Sequence, residues 1–479
     1  MSTVKIRPSV IDRVFSEKLY GIFIENLGRC LYDGLLVPPD SPIDSISGMR
    51  KDILDAFRAM PVKLVRLPGG DYADNYHWAD GIGPMEKRPT RVNGNWKMND
   101  PNRFGTHEFM DMCHYLGAEP HFVVNVGSGS VEEARGWVEY CNHPGGTELS
   151  DLRTCNGRTE PFNVKIWAVG NEPFNRGGLM RAEYYSDKYR NFAYFMRLMD
   201  PSIELVLPCA ITDPRGWTEK VLEMVCTGLR PVVPEHISLH AYWTSGPSQG
   251  YTDKEYEDSF ARMDYILDRL RAIASLCDSY ATKEKRIRLS IDEWAGWCQD
   301  AVDPLLAQHC TLRDALFSAR ILQYTAKLGD AVSMLCASVS INALLSLILT
   351  KGDQMSLTPA YYAYQIMSAH INGKLCDILV DNLPKNVSTL ATENNNETVL
   401  SFVNDSLTED LNIQIELEKT IQNVTASILC ADDIHAENLP GQQEQVKPVK
   451  SSVPFNEKSF SIGLPKHSVC VLKIQALHQ

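Results

Sequence analysis

The nine residues Lys165-Ile166-Trp167-Ala168-Val169-Gly170-Asn171-Glu172-Pro173 are a short apolar run closed by a glycine and followed at once by a polar pair. The run reads as a buried strand. Asn-Glu at the C-terminal end of a buried parallel strand is where a barrel enzyme would place a catalytic acid. Many strands end in Gly and a polar residue. The stretch therefore takes its meaning from the strands around it and from a second carboxylate elsewhere.

Seven further apolar runs share this texture, at 20–27, 63–67, 121–126, 204–208, 237–240, 287–291 and 331–339. Amphipathic, helix-like segments lie between them, among them 50–59, 106–116, 181–199, 255–279 and 310–327. The last opens on Thr311, a capping residue ahead of a long apolar periodicity. Eight strand–helix repeats over roughly 350 residues predict an α/β chain with a (β/α)8 barrel at 15–370; a doubly wound sheet is the weaker alternative. Several runs end in polar or aromatic side chains: Glu25-Asn26, Arg66, Asn125, Asn171-Glu172, His240-Ala241-Tyr242 and Asp292-Glu293-Trp294. In a barrel these ends converge on one face.

After residue 370 the texture changes. Short β-rich segments at 398–403, 411–417, 424–429 and 468–474 alternate with Asn, Asp, Pro and Gly, and Asn394-Asn395 reads as a turn. With the short strand expected at 3–10, they predict an all-β sandwich formed by residues 1–14 and 371–479.

Composition narrows the function. The chain has 479 residues, 44% hydrophobic and 22% charged, with a formal net charge of −13 and no long basic run. That is an ordinary globular composition, and it argues against nucleic acid or an anionic membrane as partner. The first eight residues lack the apolar core of a signal peptide. The apolar stretch 331–350 is broken by serines and Asn342, which suits a buried strand followed by a helix start better than a membrane span. Thirteen cysteines, without a CxxC pair, read as reduced core thiols of a cytoplasmic protein.

Glu172 ends the fourth run and Glu293 the seventh. Strands four and seven of a closed barrel face each other across the mouth, so the two carboxylates could flank one bond. Glycoside hydrolysis needs such a pair: one group protonates the leaving oxygen and the other attacks or activates water. Structural or merely binding roles remain open on the pattern alone. Asp292 competes with Glu293, but neighbours on a strand point to opposite faces, and Glu293 is the one chosen to face the mouth. The acid of such a pair must start protonated near neutral pH, which calls for a raised pKa at Glu172. His77, His236 and His240 lack the spacing of a metal site, and a hydrogen-bonding role near the mouth suits His240 better. Trp78, Trp96, Trp243, Trp294 and Trp297 are either sugar-stacking platforms or packing residues.

Taken together, 20–29 (YGIFIENLGR), 65–70 (VRLPGG), 76–84 (YHWADGIGP), Gly170-Asn171-Glu172, 238–242 (SLHAY) and Asp292-Glu293-Trp294 resemble glycoside hydrolase family 51. Arg88-Pro89, 104–109, 311–315 and Leu357-Thr358-Pro359 extend the likeness over nearly the whole chain, in order. The resemblance implies a retaining, exo-acting α-L-arabinofuranosidase that releases terminal arabinofuranose from oligosaccharides. It further implies a barrel followed by a β-sandwich, no metal or cofactor, and a homo-oligomer, commonly a hexamer. It makes Glu172 the acid/base and Glu293 the nucleophile. Asn171 would bond the sugar 2-hydroxyl, Tyr242 would orient Glu293, Glu25 would hold sugar hydroxyls, Arg66 would keep the nucleophile ionised, and Gln354 would lie near the sugar. Two features depart from the family pattern. Asp71 follows Gly69-Gly70 where Asn or Cys is usual, in a loop expected to touch the sugar, and Leu345 replaces a common Gln. The loop after Glu172, Pro173-Phe174-Asn175-Arg176-Gly177-Gly178, also differs. Another sugar specificity (xyloside or endo-glucanase) and a non-catalytic carbohydrate-binding barrel are the competing expectations.

Overall fold

Eight parallel strands close into a barrel, one from each of the eight apolar runs. They are β1 (Gly21–Phe23), β2 (Leu64–Leu67), β3 (Glu119–Val124), β4 (Ile166–Val169), β5 (Glu204–Pro208), β6 (His236–Thr244), β7 (Arg288–Trp297) and β8 (Val332–Ala337). The structure is a computed structural model that describes residues 2–7, 12–38, 40–212, 216–282, 285–303 and 305–477. Each strand pairs with its neighbour in sequence, and β8 closes on β1 through Cys336 opposite Gly21. All four residues of β4 are buried, as a strand covered on both faces requires. The closed order places β4 and β7 across the barrel from each other.

The helices follow their local signals. Thr106–Leu116 starts with the backbone N–H of Gly105 donating to Glu108 and ends on Gly117 at φ 63°. Leu312–Leu328 starts on Thr311, whose backbone N–H donates to Asp314, and thirteen of its seventeen residues are buried. That helix is wedged between two layers: Gln323 donates to Ser401 and accepts from Ser388 in the C-terminal part of the chain.

The C-terminal part is two sheets face to face. One orders Asp377–Asp381, Ser2–Arg7, Leu411–Leu417 and Ser459–Leu464; the other has six strands, with Glu397–Asn404 and Ser468–Ala476 paired near its centre. Residues 8–10 of the expected N-terminal strand lie outside the described residues. The second sheet is apolar on both sides. Leu400, Phe402, Cys470 and Leu472 point into the sandwich core with Val4 and Ile413, while Val399, Val403, Val469 and Val471 pack against the barrel. Alternation along the strand thus gives one sheet two buried faces.

The stretch 331–350 departs from expectation. After β8 no helix starts; residues 338–347 form an irregular loop, with Ser340, Asn342 and Leu344 at positive φ, that leads into the hairpin Ile348–Lys351/Gln354–Leu357. Asn342 explains the choice, because its side chain accepts from the Thr350 N–H and donates to the Arg29 carbonyl, as turn-forming asparagines do. Among the described residues no helix is long and apolar enough to cross a membrane.

Candidate active site

β4 stops at Gly170, whose φ of 90° suits glycine, and the chain turns through Asn171 to Glu172, itself held at φ 39°. The Glu172 carbonyl accepts from the Asn175 and Gly177 N–H groups, which curls the following loop tightly back. Beneath this turn sits Asp74, buried in the loop after β2. Its Oδ2 accepts from the Asn171 N–H at 2.8 Å, and its Oδ1 accepts from Val126 and Gly127 at 2.6 and 2.8 Å. One carboxylate therefore joins the ends of β3 and β4. Sequence reading passed over Asp74; an acidic residue four places after a Gly-Gly pair was the available signal.

β6 and β7 supply the facing wall, with His240 opposite Glu293 in register. Arg66, the third residue of β2, lies fully buried between the two walls. Its Nη1 donates to Glu293 Oε1 at 2.6 Å, its Nη2 donates to Asn171 Oδ1 at 2.6 Å, and its Nε makes an ion pair with Asp292 Oδ2 at 3.1 Å. Burial alone would pull the guanidinium down. The carboxylates of Asp292 and Glu293 outweigh that and hold it more firmly protonated than usual. Tyr242 donates to Glu293 Oε2 at 2.8 Å and also contacts Ser338 Oγ at 2.6 Å. Close approach is essential at Gly70, where an added Cβ would fall 2.7 Å from Glu293 Oε1.

Simple alternation does not separate Asp292 from Glu293, because both reach Arg66. The pairing of β7 is irregular on both sides here, with register shifts between Ser238 and His240 on β6 and between Ile291 and Trp294 along β7 itself. Depth separates the two. Asp292 is wholly buried beneath the site, accepting from Ser238 Oγ at 2.6 Å, whereas Glu293 lines the cavity.

His240 joins the two walls. Its Nδ1 lies 2.7 Å from Glu172 Oε1 and 3.4 Å from Glu293 Oε2. Burial works against a charged imidazole, but Glu293 and Glu172 prevail and raise His240 to about 9. The expected raised pKa of Glu172 is not what the site produces. Burial pushes Glu172 up, yet the hydrogen bond and charge of His240, with a further bond from Asn175 Nδ2 at 2.8 Å, leave it below its ordinary value. The partner responsible stands 68 positions away in the chain.

The cavity over these groups measures about 260 Å³ and is lined by Phe23, Glu25, Trp96, Tyr242, Trp297 and Leu344, among others. Glu25 Oε1 accepts from Trp96 Nε1 and from the Tyr72 N–H, both at 2.9 Å, and burial raises its pKa to about 7 despite those bonds. Asn171 keeps its Nδ2 buried and without a partner among the described residues, next to Glu172. Asp71 lines the same cavity; burial, and then the carboxylates of Glu25, Glu172 and Glu293, push it up to about 8. Of the five tryptophans, Trp96 and Trp297 reach the cavity. Trp78 stacks on Trp137, and Trp243 stacks on Trp294, in the core. His77 pairs with Glu133, and His236 with Glu204 at the opposite end of β6. No group of three or more His, Cys, Asp or Glu side chains among the described residues could hold a metal ion.

Gln354 is not brought to the cavity. Lys351 and Gln354 pair across the hairpin turn, so Gln354 stands exposed at its tip, with its amide against Gly441. Val339 and Leu344, from the irregular loop after β8, contribute to the lining instead. Leu345, the other departure, is buried beside them.

Two carboxylates facing one small cavity are what glycoside hydrolysis calls for, and comparison with known proteins agrees. The pattern of the α-L-arabinofuranosidase 1 domain matches residues 56–256, and that of the α-L-arabinofuranosidase C-terminal domain matches 292–468. The chain is 34% identical to an intracellular exo-α-L-arabinofuranosidase of Bacteroides ovatus, over 99% of this chain and 96% of the relative. It superposes on the family 51 arabinofuranosidase of Xanthomonas axonopodis pv. citri with a TM-score of 0.92 at 29% identity, over 99% of both chains. On the arabinose complex of the Thermotoga maritima α-L-arabinofuranosidase the TM-score is 0.90 at 29% identity, over 99% of this chain and 100% of that one. This chain belongs to the α-L-arabinofuranosidases of glycoside hydrolase family 51.

Proposed function

We propose that this arabinofuranosidase is exo-acting and retaining, with Glu293 as nucleophile and Glu172 as acid/base in a double displacement on terminal arabinofuranosides of oligosaccharides. The observation that carries the reading is the His240 bridge. One atom 2.7 Å from a Glu172 oxygen and 3.4 Å from a Glu293 oxygen keeps those oxygens closer together than the roughly 6.5–9.5 Å of an inverting pair, which must admit a water. The cavity is smaller than the roughly 300–1,000 Å³ of pockets that bury drug-sized ligands, which suits one terminal sugar rather than a bound polymer.

In the first step a Glu293 oxygen attacks the anomeric carbon while a proton passes from Glu172 to the leaving oxygen. That proton is held by the Glu172–His240 pair, which carries one proton between the lowered pKa of Glu172 and about 9 for His240. As the bond to Glu293 forms, its negative charge disappears and His240 loses the charge that most favours its protonated form. Glu172 then takes a proton from water, which attacks the glycosyl ester on the same face. Asn171 Nδ2 is the free donor for the sugar 2-hydroxyl, a bond that strengthens as positive charge develops at the anomeric carbon. Glu25 and Asp71 accept other sugar hydroxyls, and Tyr242 and Arg66 fix the nucleophile. The intracellular relative supports a cytoplasmic enzyme, and the family resemblance supports a homo-oligomer, a hexamer that sedimentation would reveal.

A panel of 4-nitrophenyl glycosides tests the assignment. The α-L-arabinofuranoside is expected to be cleaved fastest, and preference for a xyloside or another pyranoside would replace the sugar.

A further inference from the structure

Arg176 stands where three loops meet around the cavity. It belongs to the loop that carries Glu172. Its Nη1 reaches Asp71 Oδ2 at 3.2 Å on the loop after β2, and its Nη2 lies 3.6 Å from Asp303 Oδ2 on the loop after β7. Its guanidinium carbon is 5.3 Å from the centre of the Trp96 ring. The partners differ in depth. Asp71 keeps 12% of its side chain exposed, whereas Arg176 and Asp303 stand at the rim at 41% and 38%. The contact to Asp303 is therefore a screened surface pair of small effect, and the grip on Asp71 faces the sugar-sized space.

We propose that Arg176 is a positioning residue for sugar binding: gripping Asp71 from the acid/base loop, it fixes the Asp71 carboxyl against the sugar. This rests on the cavity being the glycone site. The carboxyl has two oxygens; Arg176 takes Oδ2, which leaves Oδ1 for a sugar hydroxyl. Asp71 is crowded by Glu25, Glu172 and Glu293, all of which disfavour its ionised form, and Arg176 is the cation that opposes them. Burial and these carboxylates outweigh Arg176, which leaves Asp71 at about 8; without Arg176 the carboxyl is pushed higher still and is free to turn. The family-unusual Asp71 and the unusual loop after Glu172 then form one device rather than two independent changes. An aspartate in this loop is a useful sugar ligand because an arginine arrives from the opposite loop to hold it.

The test is a double-mutant cycle on Asp71→Asn and Arg176→Met, with kcat and KM measured separately across pH on the 4-nitrophenyl glycoside that the wild type cleaves fastest. Arg176→Met is expected to raise KM about fivefold, the upper scale for a partly exposed ion pair, with kcat nearly unchanged. In the Asp71→Asn background the same change is expected to raise KM less than about twofold, because the two residues act through each other. Arg176→Lys, which keeps the charge and loses the fork, recovers part of the affinity. An unchanged KM in Arg176→Met, or an equal effect in both backgrounds, overturns the proposal. A wild type that prefers another glycoside refutes the arabinose assignment, while the coupling is still read on that glycoside.

Discussion

The two walls of the site hold their carboxylates in opposite ways. Glu293 sits within a strand that runs well past it, and takes hydrogen bonds from Arg66 and Tyr242. Glu172 sits beyond the end of its strand, at positive φ, on a loop held from below by Asp74 and from the side by His240 and Asn175. A nucleophile must meet one carbon at one angle and profits from a fixed mount. An acid that later serves as a base must exchange protons with a leaving group, a histidine and water, and a loop at the rim allows that. With the proposed roles, the difference teaches that rigidity and proton traffic are divided between the walls.

The largest effect should come from the rigid wall. Glu293→Ala is expected to lower kcat by at least roughly 10⁴-fold on every substrate, as loss of a nucleophile does. Steady-state rates measure this, and near-full activity would remove Glu293 from the role. In Glu172→Ala, kcat/KM is expected to fall about 10²–10⁴-fold on oligosaccharides, whose leaving groups need a proton, and far less on 4-nitrophenyl substrates. Added azide should rescue this variant and give a product of retained configuration. Equal losses of kcat/KM on both leaving groups would show that Glu172 is not the acid.

The bridge between the walls predicts a change of shape in the pH profile. In the wild type, kcat/KM should fall as pH rises through the pKa of His240, about 9, because the pair then loses its one proton. His240→Asn leaves Glu172 to keep that proton alone, so the alkaline limb should move to lower pH. A limb that stays in place would mean that His240 does not hold the acid's proton. The smallest effect is structural. Asp74→Asn presents an amide to a site where both oxygens accept backbone N–H groups, and should cost about 1–3 kcal/mol of stability by denaturant unfolding.

The same contrast explains what could be read in the sequence. All eight barrel strands and the positions of Asn171, Glu172, Arg66, Tyr242 and Glu293 were legible because strand ends converge in a closed barrel. Gln354 was misplaced because its position depends on a hairpin turn after an irregular loop, which no periodicity encodes. Asp74 went unnoticed because its work is done through backbone N–H groups that carry no residue identity. The lowered pKa of Glu172 was illegible for a related reason: burial alone points upward, and the opposing imidazole arrives from a strand far along the chain.

The division between the walls is tested most directly by trapping the sugar. Glu172→Ala incubated with an activated arabinofuranoside should accumulate the glycosyl-enzyme, because the activated leaving group departs without the acid while the base for hydrolysis is missing. Peptide mass spectrometry is expected to find one pentosyl group on the peptide containing Glu293, released on adding azide. A label on another residue, or an unlabelled enzyme that still turns substrate over with inverted configuration, would contradict the account.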